Sequence, residues 1–209
     1  MATTTTNYGF DIPQSTDLVK DGATAIATLG QDIDTAMNTA LGTKKAGMVL
    51  LNTISFSAVS SVSLPADTFT STYDNYKIYV DISAISGTNE FRIRGRTAGS
   101  DNSTANYNHQ LCDIIGTGTA ISKTSATGQT SSYFGYYDNP AMIMIDVYKP
   151  KLATPTVWQI WSNLYYTTVG AGIQLTRGNF SASTAFDSMT MISNAGTFTG
   201  SYSVYGVNK

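Results

Sequence analysis

The residues able to do covalent chemistry are few. Asp and Glu together number 14, and Glu90 is the single glutamate, which leaves thirteen aspartates; His109 and Cys112 are each the only residue of their type. A nucleophilic triad needs one base held between a nucleophile and an acid. With one histidine and serines spread along the whole chain, no such set can be singled out. Two-carboxylate hydrolysis needs two acids facing each other across a cleft, and no segment places two acids in that way. A thiolate zinc site and an intrachain disulfide both require more than one cysteine, so Cys112 reads as a small buried hydrophobe. No phosphate-cradling glycine loop and no dinucleotide fingerprint occurs. The expectation is a protein without catalytic residues, metal or cofactor.

Binding chemistry has better candidates. Arg92, Arg94 and Arg96 are three of four arginines, and strand alternation puts them on one face. They read as an anion contact, or as an outward face that pairs with aspartates. Asp101-Asn102-Ser103 and Asp138-Asn139 offer oxygen ligands for calcium, but the spacing is that of side-chain-capped turns. Aromatic residues crowd Tyr133-Phe-Gly-Tyr-Tyr137 and recur at Trp158, Trp161, Tyr165 and Tyr166. Rings that cover the C–H face of a sugar, with amides and hydroxyls beside them, are what carbohydrate binding uses. Loops tolerate variation and carry binding. The candidate receptor-binding residues are therefore Tyr133, Tyr136 and Tyr137 in an aromatic loop, and Tyr107 and His109 in a polar loop from Asp101 to His109. By alternation, Trp158 belongs to the core and Trp161 to a surface or interface.

Composition narrows the setting. The chain has 209 residues, a net charge of −2 and 12% charged residues, about half the ordinary share. Without a basic field, binding to nucleic acid is not expected. No run reaches the ~18 apolar residues of a membrane helix. The start Met1-Ala-Thr-Thr-Thr-Thr lacks the basic and apolar regions of a secretory leader.

Three segments follow from the pattern. Residues 1–14 form an extended arm in which Tyr8, Phe10 and Ile12 alternate before Pro13; it is either a free tail or a strand that docks on another protein. Residues 15–45 hold a helix over 17–41. Thr16 can cap it, Asp17 and Asp21 sit in its first turns, Gly42 fits its end, and Lys44 and Lys45 follow. Val19, Ile26, Ile33 and Ala40 recur every seven residues, with Gly22, Leu29 and Ala36 three after the first three, which is an a/d seam. Val19, Ile26, Leu29 and Ile33 are the expected oligomerisation residues. The same stripe also fits one amphipathic helix packed on its own chain. Residues 46–209 change to a period of two. Tyr76, Ile78, Val80 and Ile82 oppose Lys77, Tyr79 and Asp81; Ile143, Ile145 and Val147 oppose Met142, Met144 and Asp146. Further strands are expected at 48–56, 107–115, 171–177, 186–193 and 197–207, with 116–132 a long loop carrying weak strands. Many short strands with glycine-rich turns indicate an antiparallel β-sandwich of the jelly-roll kind.

The opening Asn7-Tyr-Gly-Phe-Asp-Ile-Pro-Gln-Ser-Thr-Asp-Leu-Val-Lys-Asp-Gly, continuing to Asp34, resembles the start of bacteriophage tail and fibre proteins. Tyr73-Asp-Asn-Tyr-Lys-Ile-Tyr79 resembles an early strand of their β-sandwich tip, and Gly196-Thr-Phe-Thr-Gly-Ser-Tyr-Ser-Val-Tyr-Gly-Val-Asn208 its final hairpin. The resemblance implies a virion component assembled in the host cytoplasm. It implies a homotrimer on a short coiled-coil stalk, anchored to another virion protein through Tyr8, Phe10 and Ile12, with its sandwich outward against a host surface glycan. Such modules serve on tails, necks and heads alike, with or without a receptor role, and the resemblance brings no catalytic motif.

Overall fold

Threonine, tyrosine, valine and isoleucine fit a pleated, half-buried surface, and in the computed structural model these residues form strands over most of the chain. The structure describes residues 3–6, 9–12, 18–41, 47–116, 121–166 and 170–207. The chain divides into two compact units, Met1–Ala46 and Gly47–Lys209.

In the first unit, strands β1 (Thr3–Thr4) and β2 (Asp11–Ile12) pair antiparallel, Thr3 opposite Ile12. The Thr5 N–H donates to the Phe10 carbonyl at 2.9 Å, and the Phe10 N–H donates to the Thr5 hydroxyl at 2.9 Å. The segment read as an extended arm therefore turns back on itself. Gly9 makes this feasible, since its φ of +68° lies where only glycine is unstrained. Helix α1 spans Val19–Leu41, 23 residues, and opens with the Gly22 N–H donating to the Leu18 carbonyl at 3.0 Å. Val19, Ile26 and Ile33 are 95%, 65% and 40% exposed, and Leu29 is half-buried. The apolar seam is thus largely uncovered within its own unit. Tyr8, Thr16, Asp17, Gly42, Lys44 and Lys45 lie outside the described residues.

The second unit holds two antiparallel sheets. The larger has eight strands in the order β3 (Met48–Val59), β15 (Phe198–Val207), β5 (Asn75–Ile85), β11 (Ala141–Tyr148), β12 (Thr156–Tyr166), β13 (Gly170–Phe180), β8 (Tyr107–Ile115) and β9 (Ser122–Gln129). The smaller runs β10 (Ser132–Tyr137), β6 (Asn89–Thr97), β14 (Ser188–Ser193) and β4 (Ser61–Ser63), with β7 (Ser100–Asp101) also on β6. Strict alternation places Tyr76, Ile78, Val80 and Ile82 of β5 and Ile143, Ile145 and Val147 of β11 in one core with Phe91 and Ile93 of β6 and Phe134 of β10. The unit is mainly β and sandwich-like; the strands expected at 48–56 and 171–177 are longer, 107–115 keeps its bounds, and those expected at 186–193 and 197–207 begin at Ser188 and Phe198. The last segment differs: it is the single strand β15 between β3 and β5, because β14 before it belongs to the other sheet.

Polar bonds tie the sheets together. The Trp158 indole N–H donates to Ser132 Oγ at 3.0 Å, the Tyr137 hydroxyl to Ser162 Oγ at 2.7 Å, and the Thr176 hydroxyl to the Phe134 carbonyl at 3.2 Å. Trp158 has room because its neighbour across β13 is Gly178. A β-carbon there would meet the indole and lie 2.8 Å from the Asn108 carbonyl. Gly178→Ala is therefore expected to destabilise the protein by about 1–3 kcal/mol through overpacking, read as a lower denaturant midpoint at unchanged slope.

Candidate functional site

The residues expected to form a receptor loop are mostly core. Residues 132–137 and 107–115 are strands β10 and β8, so neither aromatic nor polar run is a free loop at these positions. Tyr107, Tyr137 and His109 are buried. Tyr107 lies between Trp158 and Phe180, with ring centroids at 5.9 and 4.8 Å, and Tyr137 stands edge-on to Phe91 at 5.3 Å. A ring enclosed in this way offers no face to a sugar. Tyr133 is half-buried, 5.8 Å from the His109 ring and beneath the Arg92 guanidinium. The Tyr136 side chain lies outside the described residues.

The arginine ladder is also engaged within the chain. Arg92 pairs with Glu90 at 2.7 Å, Arg94 donates to the Thr130 carbonyl at 3.0 Å, and Arg96 pairs with Asp101 at 3.1 Å. Asn102 accepts from the Thr104 N–H at 3.0 Å, the side-chain-capped turn that its sequence suggests. Among the described residues, no three His, Cys, Asp or Glu side chains gather as a metal site.

The surface that remains open is the outer face of the larger sheet. Since Trp158, Gly178 and His109 point inward, their neighbours Gln159, Arg177 and Gln110 point outward. Cross-strand register aligns them in one row, Lys77–Asp146–Gln159–Arg177–Gln110–Ser125. The next row is Tyr148–Val157–Asn179–Asn108. On the other side the rows turn apolar: Met144–Trp161–Leu175–Cys112, then Asn163–Ile173–Ile114. The outer face thus has a polar half and an apolar half. Cys112 is half-buried on this face, not enclosed as expected. Trp161 is 43% exposed and Trp158 buried, as their parity requires.

The polar half is concave. Two adjoining hollows of about 430 and 440 Å³ meet there at Arg177, and a third of about 580 Å³ runs from Arg177 into the apolar half along Leu175, Cys112 and Lys123. Asn108 and Gln110 of β8, Asn179 of β13 and Ser125 of β9 line the first; Gln159 of β12 with Tyr148, Lys149 and Pro155 lines the second. The Asn108 side chain is fixed at both ends: it accepts from the Gly128 N–H at 3.0 Å and donates to Asn179 Oδ1 at 3.4 Å. The 149–155 turn is held by the Lys149 N–H on the Asp74 carbonyl at 2.7 Å and the Phe186 N–H on the Pro150 carbonyl at 2.7 Å. Set amides and hydroxyls beside an exposed Tyr148 ring make a trough suited to hydroxyl-rich ligands. Gln110, Gln159 and Arg177 carry no sequence motif, so only their outward parity next to Trp158 and His109 hinted at them.

The core placement of Tyr107 and His109 turns their titration into a stability effect. Burial pushes the Tyr107 hydroxyl up to about 12, and likewise Tyr202. An unfolded tyrosine ionises near ~10. With folded values raised, stability is full below ~10 and is lost as pH rises through about 12, on the order of 2 kcal/mol per tyrosine. Burial, then the Arg92 charge, lowers the His109 value, so stability is full above ~6.5 and falls as pH drops below it. Denaturant midpoints measured from pH 5 to 11.5 should fall at both ends, and Tyr107→Phe should flatten the alkaline fall.

Comparison with known proteins adds no assignment to this geometry: no family model matches the chain, and no curated protein matches it.

Proposed function

We propose that the chain is a bacteriophage tail- or fibre-type virion protein, a homotrimer that supports host attachment by holding surface carbohydrate in the amide-lined trough of its larger sheet. The trough is the observation that carries this reading: preset Asn108 and Asn179, flanking Gln110, Gln159 and Ser125, and an aromatic edge at Tyr148. Its lining holds no carboxylate, so the chemistry fits binding and not two-carboxylate cleavage. The trough replaces the aromatic loop as the proposed recognition site, and Tyr133 is kept only as a minor contact.

Self-association is proposed through two uncovered apolar surfaces. The α1 seam of Val19, Ile26, Leu29 and Ile33 suits a short coiled coil of copies. The apolar half of the outer face exposes Met142, Trp161, Ile173 and Ile114, on the order of 400 Å² at ordinary residue areas and so within the range of the largest patch on a monomer. The β unit is read as jelly-roll-like. The hairpin with Phe10 and Ile12, together with Tyr8, is read as the anchor to another virion protein, and a virion location after assembly in the host cytoplasm is part of the same proposal. Among the described residues no helix is long and apolar enough to cross a membrane, and neither membrane insertion nor nucleic-acid binding is part of this function.

Gln110→Ala with Gln159→Ala should leave folding unchanged and lower adsorption of particles to host cells at least fivefold. Unaltered adsorption would favour a purely structural neck or head fibre. Ile26→Asp with Ile33→Asp should disassemble the oligomer, since buried like charges are costly; light scattering that gives a 22.3 kDa species for the unmodified chain would remove the trimer reading. Trp161→Glu with Ile173→Glu should lower the thermal midpoint of assembly without unfolding the β unit.

A further inference from the structure

We infer that the trough takes a carboxylate-bearing saccharide, with Arg177 as the fork that holds the acid group. The inference rests on the carbohydrate reading above and narrows its ligand class. Charge is the first argument. The chain has 14 acidic against 12 basic residues, yet the three hollows are lined by Arg177, Lys123 and Lys149 and by no carboxylate. A local positive field in an acidic protein attracts an anion and repels nothing it needs.

The second argument is that Arg177 is uncommitted. Arg92, Arg94 and Arg96 each have a partner. Arg177 makes no ion pair and no side-chain hydrogen bond among the described residues. The carboxylate in its own row, Asp146, is held by Lys77 at 2.5 Å. Asp113 of β8 faces the other way, taking the Gln174 amide N–H at 2.5 Å.

Geometry supplies the third. Gln159 and Gln110 flank Arg177 in register, each about 4.8 Å away across the sheet. A guanidinium presents a planar pair of N–H groups that matches a carboxylate. The two amides then stand where the ring hydroxyls beside that carboxylate fall, and each amide can donate and accept. An inorganic anion without hydroxyls, such as sulfate, could use only the amide N–H groups and would leave both amide carbonyls unused, which is why a sugar acid fits better.

The test is calorimetric titration of the full-length assembled protein with trigalacturonate and with its methyl ester, which keeps the sugar and removes the charge. The acid should bind at least tenfold more tightly than the ester and weaken with added salt. Arg177→Gln should abolish that difference by weakening the acid alone, and Arg177→Lys should restore only part of it. Equal binding of acid and ester, or an Arg177→Gln protein that binds the acid like the unmodified one, overturns the acid assignment and leaves the carbohydrate reading standing. Failure of both acid and ester to bind overturns the acid assignment together with the trough as a sugar site.

Discussion

The inward turn of Trp158 is the constraint on which the rest depends. Its indole bonds to Ser132 on the smaller sheet and lies against Gly178 on the next strand, so β12 cannot shift by one residue without expelling the largest side chain of its core face. Because a strand alternates, a shift of one would exchange every inward and outward residue. The parity fixed at Trp158 passes by register to β13 and β8. It sends Gly178 and His109 inward and Gln159, Arg177 and Gln110 outward. The trough is therefore a consequence of how the core is closed.

Closing the core leaves an imbalance. Five strands face eight, and the outer face of the eight has nothing of its own unit to cover it among the described residues. The protein keeps that face in water with amides and hydroxyls in two rows, but Trp161, Ile173 and Ile114 occupy the others. With few charged residues, there is little surface repulsion to keep copies apart. The same holds for α1, whose seam stays exposed along most of its length. Covering either surface would remove apolar area from water, and identical copies are the partner that the proposed self-association supplies.

Alternation made most of this architecture legible in the sequence. The faces of β5, β6, β11 and β12, and the opposite fates of Trp158 and Trp161, need no more than a period of two. What alternation could not give was the third dimension. Gly135 beside Tyr133, Tyr136 and Tyr137 looks like a turn, yet it is small because Tyr137 and Gln174 fill the space where its β-carbon would sit. Gln174 belongs to a strand far along the chain. Tyr107 stands in a polar run whose next residue, Asn108, faces outward, while Tyr107 itself is drawn under Trp158 and Phe180. The row Gln159–Arg177–Gln110 is assembled from three strands that no local window contains. Sequence thus gives each strand its two faces, while burial of the aromatics and the make-up of the site depend on which strands meet.

The shape of the site bears on how it would work. A shallow trough on a sheet face covers only one side of a ligand, so the affinity of a single site is limited, whatever its hydrogen bonds contribute. Held on one assembly, as proposed, three such sites would act at high effective concentration, and avidity would rise by orders of magnitude without any new contact. That gain requires the copies to be held together. On the proposed reading the trough and the uncovered apolar surfaces answer each other: weak recognition in the polar rows would gain most where the apolar rows and the helix seam keep several chains in one place.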